Sequence, residues 1–256
     1  MKQKAAKKPQ KSLYNPRKSK VSIAGAAWFH EGLISALAGR QEEAAQFFQV
    51  GAELGSAEAQ VALGYCFQKG EGVEQDLEQA VSWFRKAAEQ EFAGGQVILG
   101  YCYHKGLGVE QDLEQAVSWF RKAADQGDGE AQAALGYCYN KGLGVEQDLE
   151  EGVSWYRKAA KQGYAAGQSG LGYCYMKGEG VEQDVEQGIS WYQKAAKQGH
   201  AEAQFNLALC YENGTGVEQD AKQAVFWYRK AAKQGNAKAQ SKLDELVKKK
   251  KKHADQ

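Results

Sequence analysis

The chain has 256 residues, 43% of them hydrophobic and 25% charged, and a formal net charge of only +1. That length suits one large domain or a repeat array, and no stretch approaches the ~18 apolar residues that a transmembrane helix needs. Two prolines permit long helices, while thirty glycines call for a periodic explanation.

Taken in chain order, residues 1–20 hold seven lysines and Arg17 with no acid, a charge of +8, and are expected to form a basic disordered tail. The segment from Val21 to Gly39 contains His30 and Glu31, which makes a poor signal-peptide core, and the preference for lysine over arginine argues against a transit peptide. Residues 21–56 are expected to be a degenerate capping helix pair. Ala44, Phe47, Phe48, Gly51 and Ala52 lie 36 residues before Ala80, Trp83, Phe84, Ala87 and Ala88, so residues 40–54 match a second helix. Its partner is placed at about 24–38, with Trp28 and Gly32 preceding Ala44 by 16 and 12 residues.

From Ala57 onward the chain repeats itself every 36 residues. Leu-Gly-Tyr-Cys stands at 63–66, 99–102, 135–138 and 171–174, and as Leu-Ala-Leu-Cys at 207–210. Gly-Val-Glu-Gln-Asp begins at Gly72, Gly108, Gly144, Gly180 and Gly216, and Trp83, Trp119, Trp155, Trp191 and Trp227 keep the same step. Five repeats therefore run 57–92, 93–128, 129–164, 165–200 and 201–236. Each reads as two helices. Ala59, Leu63, Cys66 and Phe67 make one face of the first. Gly70 and Gly72 end it, and Asp76 with Gln79 gives a capping-box pattern for the second. Leu77, Ala80, Val81, Phe84, Ala87 and Ala88 form the second stripe. Gly127, Gly163, Gly199 and Gly235 stop the later second helices; Glu91 stands there in the first repeat, which predicts a less clean stop. Small residues such as Gly64 and Ala80 are expected to bring helices close, with Trp83 and Phe84 filling the remaining space. Residues 237–247 read as a capping helix and 248–256 as a lysine-rich tail. The last ten residues carry +4, which leaves the body, 21–246, at −11 against the net +1.

The string Ala-x-x-x-Leu-Gly-x-x-Tyr-x-x-Gly-x-Gly-Val-x-x-Asp-x-x-x-Ala-x-x-Trp-Tyr-x-Lys-Ala-Ala-x-x-Gly, clearest at 201–235 with Ala208 in place of its glycine, resembles the Sel1-like repeat, a relative of the tetratricopeptide repeat. The resemblance covers about 57–246. It implies an all-α, right-handed superhelical solenoid of helix-turn-helix repeats whose first helices line a concave face, and an adaptor or scaffold role. Aligned with the tetratricopeptide pattern, the positions of Glu58, Val61, Tyr65, Gln68 and Lys69 face the groove. Along the array this gives a tyrosine row (Tyr65, Tyr101, Tyr137, Tyr173, ending in Leu209) and a lysine row (Lys69, Lys105, Lys141, Lys177, ending in Asn213). Two rows vary: Gln68, His104, Asn140, Met176, Glu212; and Val61, Val97, Ala133, Ser169, Phe205. A constant frame with variation on one face is what a binding surface would show, and it is also what drift at exposed positions would show. Tyrosine and lysine rows suit a partner protein or peptide with acidic residues.

Other chemistry has less support. The five cysteines sit one per repeat on the buried stripe. Equivalent helices lie ~8–10 Å apart, too far for a disulfide, whose Cα atoms must approach within about 7 Å. They read as core thiols suited to a reducing, cytoplasmic compartment, with a secreted effector as an alternative. One branch of the Sel1 family bridges two cysteines per repeat and has been described as β-lactamases; this chain lacks the second cysteine and any Ser-x-x-Lys with supporting signatures. The hydrolase reading stays as an alternative. His30, His104, His200 and His253 share no metal spacing, so no metal, cofactor, catalytic residue or small-molecule substrate is expected. The basic ends suit nucleic acid, anionic membrane or an import receptor, and equally suit plain solvation. Asn213-Gly-Thr215 is a glycosylation sequon whose simpler reading is a turn.

Overall fold

A computed structural model describes residues 16–254, with side chains from Ala24 to Leu246. The described residues form helices and turns with no strand. The chain divides into two compact units, 1–90 and 91–256. The first holds α1 (Pro16–Leu37), α2 (Gln41–Glu53), α3 (Ala57–Lys69) and α4 (Leu77–Glu89). The second holds α5 (Ala93–Lys105), α6 (Leu113–Asp125), α7 (Gly129–Lys141), α8 (Leu149–Lys161), α9 (Ala165–Lys177), α10 (Val185–Lys197), α11 (Ala201–Asn213), α12 (Ala221–Lys233) and α13 (Ala237–Ala254). Of the 1–20 segment expected to lack order, residues 16–20 belong to α1, and 1–15 lie outside the described residues. At the other end α13 continues through the lysine run that was expected to be a tail.

The constant Gly-Val-Glu-Gln-Asp string is explained by backbone bookkeeping. A first helix ends with orphan carbonyls and a second begins with orphan N–H groups. Gly70 takes a left-handed φ of 72° and returns its N–H to the Cys66 carbonyl. The Gln75 side chain donates to the Gln68 carbonyl at 2.8 Å, and the Asp76 N–H reaches back to the Phe67 carbonyl at 2.9 Å. The Asp76 carboxylate then accepts from the Gln79 N–H at 2.9 Å and so caps α4. The same set recurs in the second unit, for example Gln147 to the Asn140 carbonyl and Asp148 at the start of α8. The capping box is only half of the expected one. The Gln79 side chain bonds the Asp76 carboxylate at 3.1 Å instead of the cap's backbone N–H, because the Phe67 carbonyl already holds that N–H. The second glycine of the turn, Gly144, combines φ of 67° with close approach to the Leu113 carbonyl, leaving no room for a Cβ.

Apolar contact explains why pairs must stack. In the second unit, Val117, Phe120 and Ala123 of α6 share one cluster with Ala131, Leu135 and Cys138 of α7, and Trp155 of α8 closes it. Ile189 and Tyr192 of α10 join Leu207 and Cys210 of α11 in the same way. In the first unit Phe48 and Ala52 of α2 meet Ala59 and Leu63 of α3. The core thus lies between the second helix of one repeat and the first helix of the next, and Leu63, Leu99, Leu135, Leu171 and Leu207 are all buried. An isolated pair would expose half of it. The small residue after each of the first four leucines makes room chiefly for a ring: a Cβ on Gly100 would meet Phe120 Cε1 at 2.6 Å, and one on Gly136 would meet Tyr156 Cδ1 at 2.6 Å. Close helix approach, the expected role, is met where Gly152 lies beside the Gly136 carbonyl. Gly32 lies against the Phe48 ring in α1 and α2, so the cap pair shares this device.

A buried polar ladder accompanies the apolar one. Gln60, Gln96, Gln132, Gln168 and Gln204 are nearly inaccessible to water. Each accepts from the glutamine that ends its own second helix: Gln90 to Gln60 at 2.7 Å, Gln126 to Gln96 at 2.8 Å, Gln162 to Gln132 at 2.9 Å. Gln132 also donates to the Ala124 carbonyl of the preceding repeat at 3.3 Å, and Gln204 to that of Ala196 at 3.0 Å. One amide therefore ties three helices together. On the outer side, lysine ammonium groups cover tryptophan rings one turn earlier, at 3.6 Å for Lys86 on Trp83, 3.7 Å for Lys122 on Trp119 and 3.5 Å for Lys158 on Trp155. Such pairs contribute roughly 0.5–1 kcal/mol each when exposed.

Candidate partner-binding groove

In the second unit the first helices α5, α7, α9 and α11 border a concave groove of about 870 Å³, with Lys238 of α13 at one end. Its floor includes Phe120 and Tyr156, which lie behind glycines of the first helices. Tyr137 and Tyr164 stand out from this floor, 46% and 40% exposed. Tyr101 packs edge-on against Phe120 with ring centroids 5.0 Å apart. Burial, then the neighbouring Glu130 carboxylate that it hydrogen-bonds, push the Tyr101 hydroxyl far above the usual phenol range. Glu130 is raised in turn by burial and by Asp128, against the hydrogen bond from Tyr101. The Tyr173 hydroxyl donates to Glu179 at 3.1 Å, and Asn140 Nδ2 donates to the same carboxylate at 3.2 Å. Lys141 Nζ lies 5.1 Å from the Tyr173 ring and Lys105 Nζ 5.9 Å from that of Tyr101. His104 lines the groove, and its buried Nδ1 has no partner among the described residues. His200 caps α11 by accepting the Ala203 N–H at Nδ1, 3.2 Å away; burial lowers its pKa and favours the neutral ring this bond requires.

Nine residues of the expected groove-facing rows line this groove: Tyr101, His104 and Lys105 of α5, Ala133, Tyr137, Asn140 and Lys141 of α7, and Ser169 and Tyr173 of α9. Others do not behave as an open binding row. Val97 and Phe205 are buried and lie outside the lining, while Ala133, Ser169 and Asn140 are almost fully buried within it. A side chain at Val97 or Phe205 meets the adjoining helices before it meets solvent, so the variation there is largely variation in packing. Glu212 accepts from the Tyr228 hydroxyl and from Lys242 at 3.4 Å, so its charge is engaged internally. Met176 packs on Gly188, Leu209 joins the last core cluster, and Lys177 is exposed but outside the groove lining. In the first unit, on α3, Tyr65 is 40% exposed and stacks edge-on to Phe84, Lys69 pairs with Glu71 at 3.8 Å, and Val61 and Gln68 are partly buried.

Sequence reasoning missed Tyr164, His200, Asn206 and Lys238, all in the lining. Tyr164 carried a readable signal. It occupies the cap position where Ser56, Asp128 and Asn236 accept a backbone N–H, and it cannot do that work. Gly129 is the second sign: other repeats begin their first helix with alanine, and here the Tyr164 ring takes the space of the missing methyl.

The Sel1 repeat family model matches residues 57–92, 93–128, 129–164, 165–200 and 201–236, the same five segments as the internal period. The chain belongs to the Sel1 repeat family. It is similar to a Sel1 repeat protein from Oxalobacter formigenes, with 36% identity and a TM-score of 0.75 over 83% of this chain and 84% of that one. A protective antigen of uropathogenic Escherichia coli, c5321, described as displaying an SLR fold, is 36% identical with a TM-score of 0.72 over 91% of this chain. The match spans about half, 51%, of that antigen's length. An immunity protein from Pseudomonas aeruginosa, 22% identical over 86% of this chain and 82% of its own with a TM-score of 0.53, shares the fold alone. No curated protein matches the chain. As a Sel1 repeat solenoid it is of a kind that generally serves protein–protein interaction. Its cysteines depart from the bridged branch: Cys66, Cys102, Cys138, Cys174 and Cys210 are free and buried, and burial pushes each thiol up to about 11. No described helix is long and apolar enough to cross a membrane.

Proposed function

We propose that this Sel1 repeat protein is a scaffold whose groove between α5 and α13 holds an extended, acidic segment of a partner protein. The observation that carries the reading is the pairing of exposed rings, Tyr137 and Tyr164, with Lys105 and Lys141 over an apolar floor. Rings bring contact area at little entropic cost, and ammonium groups at the rim attract and orient carboxylates. Free, protonated thiols suit a reducing compartment, which favours a cytoplasmic setting.

The test is affinity capture from the native lysate with the full chain and with a Tyr137→Ala, Lys141→Ala double variant. Both side chains are substantially exposed, so the melting temperature should move by no more than about 2 °C, the scale expected of a sub-kcal/mol change. Partner recovery should fall at least tenfold, and recovery by the parent should decline with added salt. Undiminished capture by the double variant would remove the groove from consideration. Tyr101 is the wrong residue for this purpose, since its ring and hydroxyl also hold α5 to Phe120 and Glu130.

A further inference from the structure

The outer flank of α12 departs from the other second helices in a way the groove does not explain. Within the second unit this flank of α6 and α8 is covered by the Gly-Val-Glu-Gln-Asp turn of the following repeat. Gly144 lies on the Leu113 carbonyl and Val145 packs on the cluster around Val117. Gly180 lies on the Leu149 carbonyl and Val181 packs beside Val153. The repeat step from Gly214 and Gly216 leads to Lys250 and Lys252, so the glycine turn is missing and α13 runs on as helix. Beside α12 this leaves a groove of about 550 Å³, with Val225 and Phe226 on one wall and Leu246 on the other.

The residues there have changed in character as well as in cover. Position 226 is serine in the four earlier repeats, Ser82, Ser118, Ser154 and Ser190; here it is Phe226, 47% exposed. Position 222 is glutamate in all four, Glu78, Glu114, Glu150 and Glu186; here it is Lys222. Lys222, Arg229, Lys230 and Lys233 line the groove, and among the described residues no acid does. The Asp220 carboxylate at the start of α12 accepts from the Lys222 and Gln223 N–H groups at 2.8 and 3.0 Å. Lys230 Nζ lies 4.7 Å from the Phe226 ring and 5.1 Å from Trp227, shared between two rings where earlier lysines sit over one tryptophan. A solenoid end that only needed solubility would be polar. An exposed ring ringed by four cations is instead the composition of an interface core with a charged rim.

We propose that this flank docks an acidic segment of another protein, which sets an apolar side chain against Phe226 and Leu246 and its carboxylates beside Lys222, Arg229, Lys230 and Lys233. The chain contains its own example of such a segment. Residues 179–190 include Val181, Val185 and Ile189 with four acids, Glu179, Glu182, Asp184 and Glu186, and no base. Their turn already covers the equivalent flank of α8. The four cations supply the complementary charge, and the groove's concavity favours a side chain over a flat lipid surface.

The probe is a fluorescent synthetic peptide of residues 179–190, titrated by anisotropy with the full chain at low salt. Saturable binding is expected, weakened at least tenfold in a Lys222→Glu, Phe226→Ser variant, which restores the residues the other repeats hold and should keep the helical circular dichroism of the parent. A peptide with its three glutamates changed to glutamine and its aspartate to asparagine should bind at least tenfold more weakly. The Tyr137→Ala, Lys141→Ala variant should bind the peptide as the parent does, so failure of the concave-groove reading leaves this result standing. No binding at millimolar chain, equal binding by the Lys222→Glu, Phe226→Ser variant, or equal binding of the uncharged peptide would each overturn the proposal. Vesicles of phosphatidylserine and phosphatidylcholine (1:3) provide the remaining arm. If they, and not the peptide, depend on Lys222 and Phe226, the flank is a membrane contact and the proposal fails.

Discussion

At the residue scale, the glycines that follow Leu63, Leu99, Leu135 and Leu171 show propensity yielding to packing. Alanine is the better helix former by about 1 kcal/mol. Yet a methyl on Gly100 would sit 2.6 Å from the Phe120 ring, and overpacking costs roughly 1–3 kcal/mol. Gly100→Ala is therefore expected to lower stability by up to about 2 kcal/mol in urea unfolding. The last repeat places Ala208 here, buried in one cluster with Tyr228, whose hydroxyl donates to Glu212. The cysteines give a pH signature. Each thiol is raised from 9.0 to about 11 by burial. Between those values an unfolded chain has lost protons that the folded chain keeps, so the contribution is intact below pH 9 and is lost as pH rises toward 11. The denaturation midpoint should fall over that window, and the folded chain at pH 8 should react with a thiol reagent far more slowly than the unfolded one. His200 acts with the opposite sign. Its pKa is lowered, so the stability it supports is present above its ordinary value of 6.5 and declines as pH falls below it; His200→Asn, which keeps a cap acceptor, should flatten that decline.

At the element scale, the buried glutamines do what no apolar residue could. Gln132 satisfies the Ala124 carbonyl and the Gln162 amide at once. Gln132→Leu keeps most of the volume but removes the bridge; the Ala124 carbonyl keeps the Gly127 N–H and the Gln162 amide keeps the Gly127 carbonyl, so a loss of about 1 kcal/mol is expected in denaturant titration. The end of α4 shows a backbone cost. Glu91 adopts φ of 63° where the later repeats place Gly127, Gly163, Gly199 and Gly235. The expected loose stop does not appear, because the Gln90 N–H still returns to the Ala87 and Ala88 carbonyls; the penalty is strain in Glu91 itself. Glu91→Gly should raise stability by about 1 kcal/mol, net of the extra entropy glycine brings to the unfolded chain. Both substitutions leave the groove lining untouched, so neither should alter partner capture.

At the scale of the whole molecule, a core placed between repeats makes stability a property of neighbours. Deleting residues 129–164 joins equivalent points of successive repeats and keeps the order of second helix followed by first helix. The shortened chain should retain its helical signal per residue by circular dichroism, with a lower melting temperature. It should also lose partner capture, because Tyr137, Asn140, Lys141 and Tyr164 leave with the deleted repeat. Deleting 129–146 alone, half a repeat, should abolish cooperative unfolding.

The period of 36, the helix pairs, their caps and the buried leucine stripe were determined by sequence alone, because each depends on residues within one turn or one repeat and the repetition averages out local ambiguity. The groove was legible only in part. Tyr137 and Lys141 follow from their place in a row, but Val97 and Phe205 belong to the same kind of row and are buried. Whether a helix position faces solvent depends on what lies over it from the next helix, and the sequence of one element does not contain that. The same holds for Tyr164, whose ring needed the space beside Gly129 to be known. It holds for Phe226 as well: its departure from serine is visible in the sequence, but its exposure among four cations was decided by a turn that the final helix does not make.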